Sequence, residues 1–182
     1  MKRTIFDRVT DLLGRVPRPP GDRAIVGASD SQLASLEARL GYRLPSLLAA
    51  WLTVCNGLIA GPGGLYGASP PEDFLGIDFM LGLHPEWAAR KWLPVAGDGN
   101  GNQYIMDASR EHIDRDSIFF VDTSEDDLAL CYIVGSTLPL FLEFLLEREM
   151  GSRGWPFDPA YVLARDAAMA SVVPERLLPW NA

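Results

Sequence analysis

The stretch WLPVAGDGNGNQYIMD, from Trp92 to Asp107, sets two apolar runs around a knot of glycines and short polar residues. Trp92 to Ala96 and Gln103 to Asp107 read as strands. Between them Gly97-Asp98-Gly99-Asn100-Gly101-Asn102 can turn the chain through positive φ angles at small steric cost, so a β-hairpin is predicted. A glycine-rich run can instead cradle a phosphate, but that requires a helix directly after it. Here a strand follows, and no Lys-Ser or Lys-Thr pair completes a phosphate loop. Asp98, Asn100 and Asn102 match alternate ligands of a calcium loop, yet Gln103 stands where the sharp-turn glycine belongs and Ser109 where the bidentate glutamate belongs. The segment is read as a turn whose Asp and Asn side chains cap their own backbone.

Downstream, Ile118 to Asp122 and Leu128 to Val134 are two more strand candidates, joined by Thr123-Ser124-Glu125-Asp126-Asp127. Ser136 or Thr137 then caps a helix that turns Leu138, Phe141, Leu142 and Leu145 inward, with Leu140, Phe144 and Leu146 widening its apolar face. Asp158-Pro159 opens a last helix of about a dozen residues, and the apolar tail from Val172 to Trp180 must dock. Upstream, Pro85 starts a short helix ending near Lys91, while Phe74 to Leu83 fits strand and helix equally. Residues 58–72 read as a loop with an extended piece at Leu65 and Tyr66.

Further toward the N-terminus, Ser29 and Gln32 form a capping box for a helix bearing Leu33, Leu36 and Leu40, and Gly41 ends it. Pro45 opens the next helix, with Leu48, Trp51, Leu52 and Cys55 on its buried face and Asn56-Gly57 as the stop. Ile5, Val9, Leu12, Leu13 and Val16 share one side of a short amphipathic helix. It precedes the stiff segment Pro17-Arg18-Pro19-Pro20-Gly21 and needs the main domain to be stable. Helices, then adjacent strands, then helices again spell an α+β fold with a mostly antiparallel sheet. The expected organisation is one domain: an N-terminal helix and linker over 1–27, a core over 28–150, and a helical extension over 151–182.

The chain has 182 residues, 48% of them apolar and 22% charged, which excludes a disordered chain, a collagen-like repeat and a disulfide-dense miniprotein. A chain of this length buries roughly 70% of its unfolded surface. No apolar run approaches the roughly 18 residues of a membrane span. Asp7, Arg8 and Asp11 interrupt the place of a secretory apolar core. Cys55 and Cys131 stand singly and read as reduced core thiols, so a cytoplasmic protein is expected. Charge is unevenly spread. Residues 1–60 carry eight basic and five acidic side chains, residues 61–150 five and sixteen, and residues 151–182 three of each. A middle segment at net −11 repels phosphate backbones and attracts a basic protein. Direct nucleic-acid binding is therefore not expected.

His84 and His112 have no carboxylate or cysteine at a metal-ligand spacing and are read as surface residues. Gly135-Ser136-Thr137 lacks the pattern of a nucleophile elbow. No pair stands out among the twenty-four acids as a hydrolase dyad. Neither a catalytic residue, a metal nor a cofactor is assigned. The densest charge run, Asp122, Glu125, Asp126 and Asp127, is either a solvated turn or a negative knob that meets a basic protein surface. In the second case Tyr66 and Trp87 are candidate aromatic anchors beside it.

Several short patterns follow one another in a fixed order. Glu37 lies in Leu36-Glu37-x-x-Leu40-Gly41; then come Leu44-Pro45, Trp51-Leu52 and Asn56-Gly57. After these stand Trp92-Leu93-Pro94-Val95-Ala96 and Asp98-Gly99-x-Gly101-x-x-Tyr104, ending in Asp107. This succession resembles the SUKH superfamily, which includes the fungal Smi/Knr cell-wall regulators, over about residues 28–148. One departure is Asn102, where family members commonly carry an acid. The resemblance implies an α+β fold with helices against a mostly antiparallel sheet, and binding roles without reaction or cofactor. Bacterial members are typically immunity proteins that neutralise a toxin, often a nuclease; fungal members are interaction hubs. By the same resemblance Glu37, Pro45, Trp51, Asn56, Gly57, Trp92, Asp98, Gly101 and Asp107 serve the fold and form no active site.

Overall fold

A computed structural model describes residues 5–18, 24–113 and 116–182. Pro19, Pro20 and Gly21 of the expected linker lie outside the described residues.

The glycine-rich segment turns as its composition requires. β1 (Trp92–Gly97) and β2 (Gln103–Asp107) pair antiparallel, and Gly99 and Gly101 sit at φ +87° and +102°. The Asp98 carboxylate accepts the backbone N–H groups of Asn100 and Asn102, at 2.7 and 3.1 Å, and the Asn102 side-chain amide at 3.0 Å. β3 (Ile118–Val121) and β4 (Tyr132–Gly135) extend the meander in the order β1-β2-β3-β4. The outer edge of β1 is covered by the extended piece expected at Leu65 and Tyr66: Tyr66 N–H donates to Val95 O and Gly97 N–H to Gly64 O. Covering an edge in this way leaves fewer unpaired backbone groups for stray strands.

Among the described residues eight α-helices surround this sheet. They are α1 (Asp7–Leu13), α2 (Asp30–Leu40), α3 (Ser46–Leu52), α4 (Ile77–Leu83), α5 (Pro85–Arg90), α6 (Leu138–Glu149), α7 (Pro159–Leu163) and α8 (Ala168–Val172). The fold class is α+β. α2 has the full capping box, with Ser29 and Gln32 satisfying each other's backbone N–H, and Gly41 ends it at φ +77°. The Glu37 carboxylate accepts Leu44 N–H at 2.9 Å and so fixes the turn into α3, which starts after Pro45. α6 lies against β4 and α1 lies against α6; α4 and α5 pack on β1. Val9, Leu12, Leu13 and Val16 of the expected stripe are buried, but Ile5 is exposed and Phe6 takes its place, meeting Trp51 at 5.5 Å.

Several elements differ from expectation, each for a visible reason. The ambiguous run from Phe74 to Leu83 is helical, a 3₁₀ turn over Asp73–Leu75 followed by α4. α3 stops at Leu52, before Asn56-Gly57, because Leu52 O accepts Ala28 N–H and Asn56 N–H reaches Val26 O. Asn56 instead clasps the following loop by exchanging two hydrogen bonds with the Ser69 backbone, at 2.9 and 3.0 Å. β4 begins at Tyr132 and not at Leu128, since Leu128 N–H goes to the Asp126 carboxylate and Leu128 O to Arg90.

The single last helix is two, α7 and α8, broken where the buried Asp166 turns inward to Ser136. That contact also takes Ser136 away from capping duty; Thr137 is the N-cap of α6 and makes no side-chain cap. Cys131 is half-buried, so only Cys55 is a core thiol, and burial pushes it up to about 12. The face of α6 and the tail residues Leu177 and Leu178 are spent on the chain's own core. No helix among the described residues is long and apolar enough to cross a membrane.

Candidate partner-binding site

The loop between β3 and β4 carries the acidic run, and its own carboxylates shape it. Asp122 accepts the backbone N–H and hydroxyl of Ser124, at 2.9 and 2.6 Å, and the Ser124 hydroxyl is the chief reason its carboxyl is held below the ordinary range. Asp126 accepts Leu128 N–H at 2.9 Å. Asn102 Oδ1 accepts Thr123 N–H at 3.2 Å and Gly101 O accepts the Thr123 hydroxyl at 3.1 Å, which ties the acidic loop to the hairpin turn. Asn102, where the family pattern commonly has an acid, is thus a structural clasp here, with its amide also on Asp98. Glu125 and Asp126 end exposed at the tip; Asp122 and Asp127 are half-buried at its base.

The two aromatic residues expected to flank this loop as anchors are not available. Trp87 is fully buried, and its indole N–H donates to Asp127 O at 2.6 Å. Its ring also stacks on His84 at 3.9 Å, and His84 Nδ1 lies 3.0 Å from the Asp127 carboxylate. Trp87 is a strut beneath the loop. Tyr66 is likewise buried, with its hydroxyl donating to Gln103 at 2.7 Å. An aromatic ring says that a site is apolar; it does not say on which side of the surface the ring ends.

The remaining family-pattern residues support the scaffold. Trp51 is fully buried, and Trp92 packs under the Arg90 guanidinium at 4.9 Å. Gly57 sits at φ +85°, where a Cβ would meet Pro70 Cβ at 2.5 Å. Asp107 is buried and gathers the Ser109 N–H and hydroxyl together with the His112 ring, whose Nδ1 lies 2.8 Å away. Among the described residues Ser136 is bound to the buried Asp166 in the same way, through its N–H and hydroxyl. In both the serine hydroxyl donates to the carboxylate, at 2.6 Å, and the His112 ring lies on Asp107 and not on the serine oxygen. Among the described residues no three His, Cys, Asp or Glu side chains are grouped to hold a metal ion.

Aromatic surface lies instead on the sheet face below the hairpin turn. Register places Tyr104, Phe120 and Tyr132 side by side across β2, β3 and β4. Phe141 and Trp155 close over Tyr104, while Phe120 and Tyr132 stay half-buried and Phe157 exposed. They line a groove of about 340 Å³ that also reaches Asp98, Arg148 and Glu149. The runs Ile118-Phe119-Phe120-Val121 and Tyr132-Ile133-Val134 are apolar throughout and do not mark this ladder in the sequence. Pairing the rings requires the register.

A family model described as SMI1 / KNR4 family (SUKH-1) matches residues 27–143, which include the acidic loop and all four strands. No curated protein matches the chain.

Proposed function

The chain belongs to the SMI1/KNR4 family (SUKH-1), and from that premise we propose that it is a non-enzymatic binding domain of the immunity type, which neutralises a toxin by covering its working surface. The observation that supports this reading is the preformed acidic loop, with Glu125 and Asp126 exposed at its tip and its base tied to the hairpin turn. A loop ordered before encounter loses little further entropy on binding. A nuclease toxin is basic where it grips phosphate, so an acidic loop within a segment at net −11 is drawn to that surface and competes with nucleic acid for it. In this reading the protein works in the cytoplasm of the producing cell, needs no cofactor or metal, and meets a basic protein partner.

Co-expression with the product of the adjacent reading frame tests the proposal. The expected result is a stable complex and loss of that product's toxicity. Separate elution of the two proteins together with undiminished toxicity would refute it. A second reading, an adaptor for a cellular protein, draws on Phe74, Phe79 and Leu83, which are exposed on and beside α4. The apolar face of α6 and the tail residues Leu177 and Leu178 are buried and offer an adaptor no docking surface. An isolated gene with no toxin-like neighbour would favour the adaptor.

A further inference from the structure

The aromatic groove has a chemical preference of its own. Phe120 and Tyr132 lie nearly parallel with centroids 5.1 Å apart, and Phe157 stands at 66° to Tyr132, 5.6 Å away. The two planes make a corner, and Phe157 is 56% exposed although the buried Trp155 stands only two residues before it. Two carboxylates line this corner, Asp98 from the hairpin turn and Glu149 from the end of α6, and Asp122, just past β3, is near enough to act electrostatically on Tyr132. They stand against one guanidinium, Arg148. That guanidinium is already engaged: it donates to the Tyr104 hydroxyl at 2.8 Å, holds Glu149 through two nitrogens at 2.8 and 3.1 Å, and lies 5.3 Å over Trp155. Once Arg148 and Glu149 cancel, Asp98 and Asp122 leave the groove negative. Burial chiefly, with smaller effects of Tyr104, Cys131, Asp122 and Asp98, pushes the Tyr132 phenol above its ordinary range. The Tyr132 hydroxyl has no hydrogen-bond partner among the described residues.

Partly exposed rings beside carboxylates that no cation neutralises favour a cation, and a planar one most, because a guanidinium packs on an aromatic ring and still offers its edge to a carboxylate. An anion would have to displace Glu149 from Arg148. We propose that this groove is the seat of one arginine side chain of the protein partner, laid against Tyr132 and Phe157 with its charge toward Asp98. The inference rests on the protein-binding reading above and gives it a specific contact, about which the acidic loop acts as a steering rim.

The test titrates the full chain with N-acetylarginine amide, and in parallel with the lysine, citrulline and glutamate amides, while the ring signals of Tyr132 and Phe157 are followed by NMR. Saturable shifts with the arginine amide, weaker ones with lysine and none with citrulline are expected. Phe157→Ala should weaken arginine binding about three- to tenfold with an unchanged unfolding midpoint. An equal response to citrulline, a preference for the glutamate amide, or no saturable shift would overturn the proposal. The two readings fail separately. A partner that binds wild type and Phe157→Ala equally, with a silent arginine titration, removes the groove and leaves the binding role. Arginine binding without any complex from the adjacent gene keeps the groove and removes the immunity role.

Discussion

Asp166 carries more of the architecture than its place in a short C-terminal turn suggests. It is buried, and both its oxygens are occupied by one residue thirty positions away: Ser136 N–H donates at 2.8 Å and Ser136 Oγ at 2.6 Å. A buried N–H left without its acceptor costs its desolvation energy, and bonds to a carboxylate are the stronger kind. Asp166→Ala is therefore expected to lower stability by about 2–4 kcal/mol, read from the shift in urea midpoint at constant m. Asp166→Asn keeps an acceptor oxygen and should lose less. Equal losses from both would mean that charge rather than hydrogen bonding holds this joint.

Glu147 plays the corresponding part among helices. From the last turn of α6 it accepts Arg8 of α1 at 2.9 Å, Arg165 beyond α7 and the Tyr161 hydroxyl at 3.2 Å, while Glu143 one turn earlier holds Arg8 at 2.7 Å. Burial on its own would raise the Glu147 carboxyl, but the bonds from Arg165 and Arg8 outweigh it and hold the group below its ordinary range. A carboxyl depressed in the folded state stabilises above its unfolded value, about 4.3, and loses that contribution as pH falls through the folded value. Glu147→Gln should therefore be less stable than wild type at pH 7, with the gap closing in acid below about pH 4. A gap that stays constant in urea titrations from pH 7 to pH 3 would deny the carboxylate this role. Elements with local signals were readable beforehand: α2 announces itself by Ser29, Gln32 and Gly41, and the hairpin by its glycines. What could not be read were the arrangements set by distant partners. Nothing near Asp158 tells that Asp166 will leave its helix for Ser136, and nothing in Tyr66 or Trp87 tells that they face inward. The ladder of Phe120 and Tyr132 exists only once β3 and β4 are in register.

Over the whole molecule, charge and shape divide the work of association. The segment from 61 to 150 holds sixteen acids against five bases, and although Arg8 and Arg165 from the flanking segments pair with its Glu143 and Glu147, the field of the molecule is negative. Such a field acts over about 8–10 Å at ordinary salt. It governs how fast a basic protein arrives, while close contacts govern how long it stays. The tip of the acidic loop is the place to separate the two effects, because Glu125 is exposed and Asp126 contributes one backbone bond that an asparagine oxygen can replace. The pair Glu125→Lys and Asp126→Asn therefore changes the charge with little disturbance to the loop. With the adjacent gene's product as partner, association at low salt is expected to slow by about tenfold and its salt dependence to flatten, with dissociation nearly unchanged. A rise confined to the dissociation rate would make the tip a close contact instead of a steering rim. Association kinetics indifferent to both substitutions would take the loop out of the encounter, and the −11 segment would then serve solubility alone.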